Sequence, residues 1–192
     1  SDLYDEYVME KYRNGNAGKG SRTATPKWTN SKPSFAQKVS DLQSISELNN
    51  VHPARIFLEN RKIPQEKLSC LFYTDKFKRW INTKKPDAFN NLKNDQPHVV
   101  IPLIDEKGVW FGVQGRSLAP KSKMRYVTIL FDEDKTKLYG LDRIKTNDTI
   151  YIVEGPFDSL FLDNSVAMAG SSVDCRSFGW SDYIWVYDNE PR

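Results

Sequence analysis

The chain has 192 residues, 39% of them apolar, with 28 basic and 25 acidic side chains and a net charge of +3. That is enough apolar material for a core in one large domain or two small ones. No run approaches a membrane span and the first residues lack the basic-then-apolar order of a signal peptide, which points to a soluble, intracellular protein with no membrane partner. Cys70, Cys175, His52 and His98 are the only Cys and His residues, placed too far apart in sequence for a zinc site or a disulfide framework.

In chain order, residues 2–12 carry Leu3, Tyr4, Tyr7, Val8 and Tyr12 at helical spacing. Residues 13–38 turn to Gly, Asn, Ser, Thr, Pro and Lys, the composition of a linker. Compact structure is expected from about Ser46. Residues 52–60 predict a helix with Pro53 in its first turn and an apolar stripe at Ile56 and Phe57, and a second short helix opens at Pro64. Leu71-Phe72-Tyr73 predicts a strand and residues 76–81 a helix. Residues 98–104 and 110–116 predict a hairpin turned by Asp105-Glu106-Lys107-Gly108, where Gly supplies a positive φ at little cost. Residues 126–130 predict a further strand.

From Thr149 the pattern is strand, helix, strand, loop, strand. Ile150-Tyr151-Ile152-Val153 runs into Glu154-Gly155-Pro156-Phe157-Asp158; Phe157 to Asn164 read as a helix carrying Leu160 and Phe161 toward a core. Val166-Ala167-Met168-Ala169 follows as a buried strand, and Ile184-Trp185-Val186-Tyr187 runs into Asp188-Asn189-Glu190. A crossover of about a dozen residues favours parallel pairing with a right-handed connection. The expected class is α/β: an α+β N-terminal lobe followed by the first half of a parallel α/β sheet.

In an open α/β sheet, ligands bind at the carboxyl ends of the strands. Glu154, Asp188 and Glu190 leave two such ends, and three carboxylates with no local base repel one another unless a cation is present. Hard oxygen ligands suit Mg²⁺, with Mn²⁺ as an alternative, held by carboxylates and substrate phosphates. In phosphoryl or nucleotidyl transfer such ions steady the attacking and leaving oxygens, and a further carboxylate can act as base. Asp158 and Gly155 read as supports for the site. An acid at a strand end is more often a solvated cap than a ligand; the recurrence at two strand ends of one βαβ unit is what favours a site.

Charge is divided unevenly. Residues 148–192 hold eight acids against Arg176 and Arg192, a net −6, which leaves +9 on the other 147 residues. Lys76, Lys78, Arg79, Lys84 and Lys85 lie in an acid-free decade with Phe77 and Trp80 interleaved, and Arg116, Lys121, Lys123 and Arg125 form a second one. Basic groups with aromatics suit a groove that follows a single strand and stacks its bases, so Lys76, Lys78, Arg79 and Trp80 are candidate single-stranded DNA contacts. An ordinary helix face with Phe77 and Trp80 turned to the core explains the first cluster equally well.

With these residues in hand, the chain resembles TOPRIM-containing enzymes, whose signature is Glu-Gly after a first strand and Asp-x-Asp after a later one; here Glu190 stands for the last Asp. Val113-Gln114-Gly115-Arg116-Ser117-Leu118, Arg125-Tyr126-Val127-Thr128 and Lys137-Leu138-Tyr139-Gly140 are similar to the basic motifs that precede TOPRIM in DnaG-type primases, and the whole is most like the primases of T-even-type bacteriophages. The resemblance implies template-directed synthesis of a short RNA primer on single-stranded DNA from ribonucleoside triphosphates, with a hexameric replicative helicase, in the cytoplasm of an infected bacterial cell. It implies metal binding and catalysis at Glu154, Asp188 and Glu190, and nucleotide or template binding at Arg116, Lys121, Lys123, Arg125, Tyr126 and Lys137. It also implies an N-terminal zinc-binding domain absent from these residues, of which 1–13 is the tail, then a linker at 14–45, a basic polymerase lobe at 46–147 and an incomplete TOPRIM part at 148–192. Such a piece can lack full activity alone. Another TOPRIM activity, as nuclease or topoisomerase, and a non-catalytic single-strand-binding helicase scaffold are the alternatives.

Overall fold

In the computed structural model, which describes residues 41–122, 124–170 and 173–188, a first sheet is built from β1 (Gln43–Ser44), β2 (Phe72–Thr74), β3 (His98–Ile104), β4 (Trp110–Ser117) and β5 (Tyr126–Leu130). Its order is β1-β2-β3-β4-β5 with every neighbour antiparallel. The expected helix at 1–13 lies outside the described residues. Among the described residues the first regular element lies slightly before Ser46: Gln43 and Ser44 pair with β2, and Ile45 is fully buried. A reciprocal capping box between Ser44 and Glu47 opens the short 3₁₀ turn that follows, and Ile45 and Leu48 bury its apolar side.

The β3–β4 hairpin forms where expected. Asp105 Oδ1 accepts from the amides of Lys107 and Val109, both at 3.0 Å, and Gly108 sits at φ +77°. Pro102 is tolerated inside β3 because the pairing with β2 ends at Val100, so no ladder bond is lost there. This sheet is covered on both faces. One face packs Val100 and Val113 against Phe77, Trp80 and Ile81; the other belongs to the larger core with Val99, Ile101 and Leu103.

Helix α1 (Pro53–Asn60) begins with Pro53 as its first residue, and His52 Nδ1 accepts from the Ala54 amide at 3.2 Å. The buried pair is Ala54 and Leu58, four apart, with Phe57 packed alongside. Ile56, expected on the buried stripe, is 40% exposed, since residues 54, 57 and 58 turn toward the core. Helix α2 (Phe77–Lys84) lacks a local cap; Asp95 supplies one, its carboxylate accepting from the Lys78 and Arg79 amides at 2.8 and 3.0 Å.

The second sheet contains β6 (Leu138–Tyr139), β7 (Ile150–Val153), β8 (Ser165–Met168) and β9 (Tyr183–Val186) in the order β6-β8-β7-β9. β7 is parallel to both β8 and β9, and β6 is antiparallel to β8. The crossover from β7 to β8 carries a single 3₁₀ turn, Asp158–Phe161, in place of the expected longer helix. Only Leu160 of its apolar pair is buried; Phe161 is 51% exposed, because one tight turn cannot direct both side chains inward. Mixed helices and two sheets place the chain in the expected α/β class.

Candidate active site

Parallel pairing brings the two acidic motifs side by side. Val153 of β7 is in register with Val186 of β9, so Glu154 and Asp188 leave neighbouring strands at the same end. The Asp188 amide donates to Glu154 Oε1 at 3.4 Å. Glu154, Asp158 and Asp188 line one cleft of about 510 Å³, together with Gly155, Pro156 and the end of β8 at Met168, Ala169 and Gly170. Arg61, Gln114, Tyr126 and Thr128 form the rest of its wall.

The turn after β7 is set by Gly155. A Cβ there would overlap Asp158 Oδ2, so a bare backbone is what lets that carboxylate fold back into the cleft. The Asp158 amide donates to the Gly155 carbonyl at 3.0 Å, and Ser159 holds the turn from beneath, donating to the Pro156 carbonyl and accepting from Arg143 Nη2. Gly155→Ala is therefore expected to keep the fold, with stability within about 1 kcal/mol and Tm within a few degrees of the parent, while displacing Asp158. Thermal melts paired with Mn²⁺ titration would show an unchanged midpoint and altered cation affinity.

Burial raises the pKa of Asp158 above the ordinary carboxylate value, with Asp188 and Glu154 adding to the rise and Arg61 opposing it. A folded-state pKa above the unfolded one means the native state holds the proton more tightly, so stability falls as pH rises through the raised value and stays lower above it. Asp158→Asn is thus expected to raise Tm near neutral pH by about 1–3 °C, a modest figure because the group is part-exposed and screened. The gain should vanish at acidic pH; melting curves from pH 4 to 8 without divalent cation check it.

The opposite wall is the β4–β5 pair. Gln114 faces Thr128 and Arg116 faces Tyr126 across the ladder. Gln114 Nε2 donates to Thr128 Oγ1 at 3.1 Å, and Thr128 Oγ1 donates to the Ala169 carbonyl at 2.7 Å, which ties the first sheet to the acid-bearing one.

No protein-family model matches the chain. Along its whole length it is 31% identical to the DNA primase of Enterobacteria phage T4, of which it spans 56%. The chain is thus similar in sequence to a phage DNA primase. Among solved structures, the Aquifex aeolicus primase comprising zinc-binding and RNA polymerase domains aligns with TM-score 0.57 and 21% identity, over 76% of this chain and 44% of that one. A DnaG primase catalytic domain bound to single-stranded DNA aligns with TM-score 0.56 and 19% identity, over 78% of this chain and 58% of that one. The primase catalytic-core fold is therefore shared, and the chain spans about half the length of the proteins it matches.

In this primase-like chain the expected site residues divide into groups. Glu154, Gly155, Asp158, Asp188 and Tyr126 come together at the cleft. The Lys137 stem lies against Gly170, at the cleft wall. Arg116 stacks over Tyr126 with Cζ 4.7 Å from the ring centre, and its Nε is buried without a partner. Lys121 and Arg125 are exposed in the β4–β5 connection. Lys123 and Glu190 lie outside the described residues. Lys76 and Arg79 line a different depression of about 870 Å³, with residues 90–95, that shares no lining residue with the acid cleft. Lys78 is spent on the Asn91 and Lys93 carbonyls, both at 3.1 Å. Trp80 is 8% exposed and its Nε1 donates to Asp41 at 3.3 Å, so its ring packs against the core and is not presented for base stacking. Seven lining residues were not among the expected site residues: Pro156, Met168, Ala169 and Gly170 beside the acids, Gln114 and Thr128 hidden in strands, and Arg61 at the C-cap of α1, which no local signal marks.

Proposed function

We propose that the chain carries the catalytic part of a DNA primase, which copies single-stranded DNA into a short RNA primer by nucleotidyl transfer from ribonucleoside triphosphates. The observation that supports this reading best is the meeting of Glu154 and Asp188 at adjacent ends of parallel strands, opposite the strand pair that bears Arg116 and Tyr126. The T4 relative is named a DNA primase, and one solved neighbour holds single-stranded DNA.

A divalent cation suits this cleft. Its donors are hard carboxylate oxygens, and to the burial that chiefly raises Asp158 the charges of Asp188 and Glu154 add a repulsion of the kind a cation relieves. Among the described residues no set of three His, Cys, Asp or Glu side chains gathers tightly enough to cage an ion; Mg²⁺ needs only one or two carboxylates when substrate phosphates and water complete its shell. Glu154 and Asp188 would hold it, with Glu190, outside the described residues, as the third proposed ligand and Mn²⁺ as a substitute. When bound, such an ion supplies electrostatic stabilisation to the oxygens of the transferring phosphoryl group.

The chain's own residues position the reactants. Arg116, Lys123, Arg125 and Lys137 supply positive charge for triphosphate or template phosphates, Lys121 extends that surface, and Tyr126 offers a ring to a base. Asp158 orients the acidic turn. The proposed partners are the template, ribonucleotides, the RNA primer and a hexameric replicative helicase, in the cytoplasm of an infected bacterium; no helix among the described residues is long and apolar enough to cross a membrane. The domain scheme stands as part of this proposal: basic lobe at 46–147 and TOPRIM part at 148–192. Incubating the full-length protein with single-stranded template, ribonucleotides and Mg²⁺ should yield short template-dependent RNA. Degraded DNA without RNA product would point to a nuclease, and DNA binding indifferent to Mg²⁺ to a scaffold.

A further inference from the structure

The segment Lys137-Leu138-Tyr139-Gly140 leads into a 3₁₀ turn, Leu141–Arg143, that reaches the acidic turn after β7 from beneath. Gly140 opens it at φ +94°, and a Cβ there would stand 2.9 Å from the Ser165 carbonyl oxygen and 3.1 Å from Arg143 Nη2. The Arg143 guanidinium lies over the Tyr139 ring, with Cζ 4.3 Å from its centre, and Nη2 donates to Ser159 Oγ at 2.9 Å. No carboxylate among the described residues lies within 4 Å of it. An aromatic face and a hydroxyl, not an ion pair, hold this cation in place.

Ser159 is 1% exposed, so its hydroxyl is sealed from solvent. A hydroxyl has one proton, and this one goes to the Pro156 carbonyl at 2.8 Å. Its lone pairs are then served by a donor, and a guanidinium is a donor at every working pH. Arg143 thereby fixes the Ser159 rotamer that pins Pro156, which stands between Gly155 and Asp158 in the acidic turn. A single 3₁₀ turn holds itself weakly. The Ser165 hydroxyl grips its backbone as well, 2.7 Å from the Ser159 carbonyl and 2.8 Å from that of Leu162. The field of Arg143 is not what reaches the carboxylates: the charges acting on Asp158 are those of Asp188, Arg61 and Glu154.

We propose that Arg143, seated on Tyr139, is a positioning residue for the cation site: through Ser159 it holds the acidic turn in the conformation that presents Glu154 and Asp158 to the cleft. Arg143 does not line the cleft itself. The inference rests on the reading of the cleft as a divalent-cation site, and it gives Tyr139 and Gly140 a task there, as the seat and the clearance for the guanidinium.

The test uses the full-length protein without nucleotide and Mn²⁺ alone as the probe, with affinity read from the spin-resonance signal of the free ion. Arg143→Ala, Ser159→Ala and the double variant are compared with the parent, each well below its melting midpoint. Groups that orient a metal site from behind cost about 10–100-fold in affinity when removed, and the expected loss for Arg143→Ala is at the lower end, about tenfold. Because Arg143 acts through Ser159, the double variant should match the larger single loss to within about twofold. Arg143→Lys, which keeps a donor and a charge, should recover part of the affinity. A role in stability alone would lower the melting midpoint and leave Mn²⁺ affinity at the parent's value, which overturns the proposal. Losses that add in the double variant overturn the route through Ser159. Should Arg143→Ala melt too early to titrate, Ser159→Ala decides, and parent-like affinity there is the overturning result. A parent protein that binds no Mn²⁺ removes the cation-site reading itself, a failure distinct from variants that bind as well as the parent.

Discussion

Glu154→Gln and Asp188→Asn in the full-length protein are each expected to lower template-dependent RNA synthesis by about 10²–10³-fold or more, the scale on which enzymes lose rate when one preorganised electrostatic group is removed. Both replacements keep side-chain shape. The amide introduced by Glu154→Gln would still offer a carbonyl oxygen to the Asp188 N–H, so the bond between the two strand ends survives while the charge does not. Removing one of several crowded carboxylates should leave Tm equal or higher in the absence of divalent cation, because Asp158 is then under less repulsion. The diagnostic pair is lost synthesis with retained stability, read from primer assays and melting curves on the same preparations. Undiminished primer yield in Glu154→Gln would remove the acidic cleft from the mechanism.

Phe77→Ala is expected to cost about 3–5 kcal/mol, the range for deleting a buried aromatic ring. Phe77 is fully enclosed, stacked on His98 at 4.3 Å between ring centres, edge-on to Phe89 at 6.2 Å, and laid over Gly115 of β4. A Cβ on Gly115 would collide with that ring. The same contact can be broken from the other side: Gly115→Ala forces the ring or the strand to move, at about 1–3 kcal/mol. Residues in contact couple, so Gly115→Ala with Phe77→Leu should be less damaging than the two single changes added together. Urea titrations of the parent, the two single variants and the double variant measure this directly. Additive losses would mean that ring and strand do not share the space described. Since Gly115 and Arg116 are adjacent on β4 and face opposite sides of the sheet, the packing beneath the strand also supports the position of Arg116 over the Tyr126 ring.

Both outcomes depend on features that differ in how far a sequence reveals them. The hairpin at residues 98–117, strand β5 and strand β7 are written in continuous apolar runs bounded by turn residues, and local periodicity suffices to find them. The acidic motifs are legible for the same reason: each follows directly on such a run. Phe77 and Trp80 are different, because an aromatic among lysines fits a nucleic-acid groove and a buried helix face equally; the choice was made by β3 and β4, which supply Val100 and Val113 to pack against. Likewise Ile56 and Phe161 face solvent because helix phase and one tight turn, set by long-range packing, decide which apolar residues turn inward.

Residue order alone determined that two strands end in carboxylates, that the preceding lobe is basic, and that both match the motifs of one enzyme family, since these are facts about neighbours in the chain. Only the tertiary structure decided that Glu154 and Asp188 adjoin, that Gln114 and Thr128 tie the basic sheet to the acidic one, and that Arg61 reaches the cleft while Lys76 and Arg79 open elsewhere. Those juxtapositions come from strand register and from aromatic side chains meeting across long stretches of sequence, and no local pattern encodes a contact whose partner lies on another element.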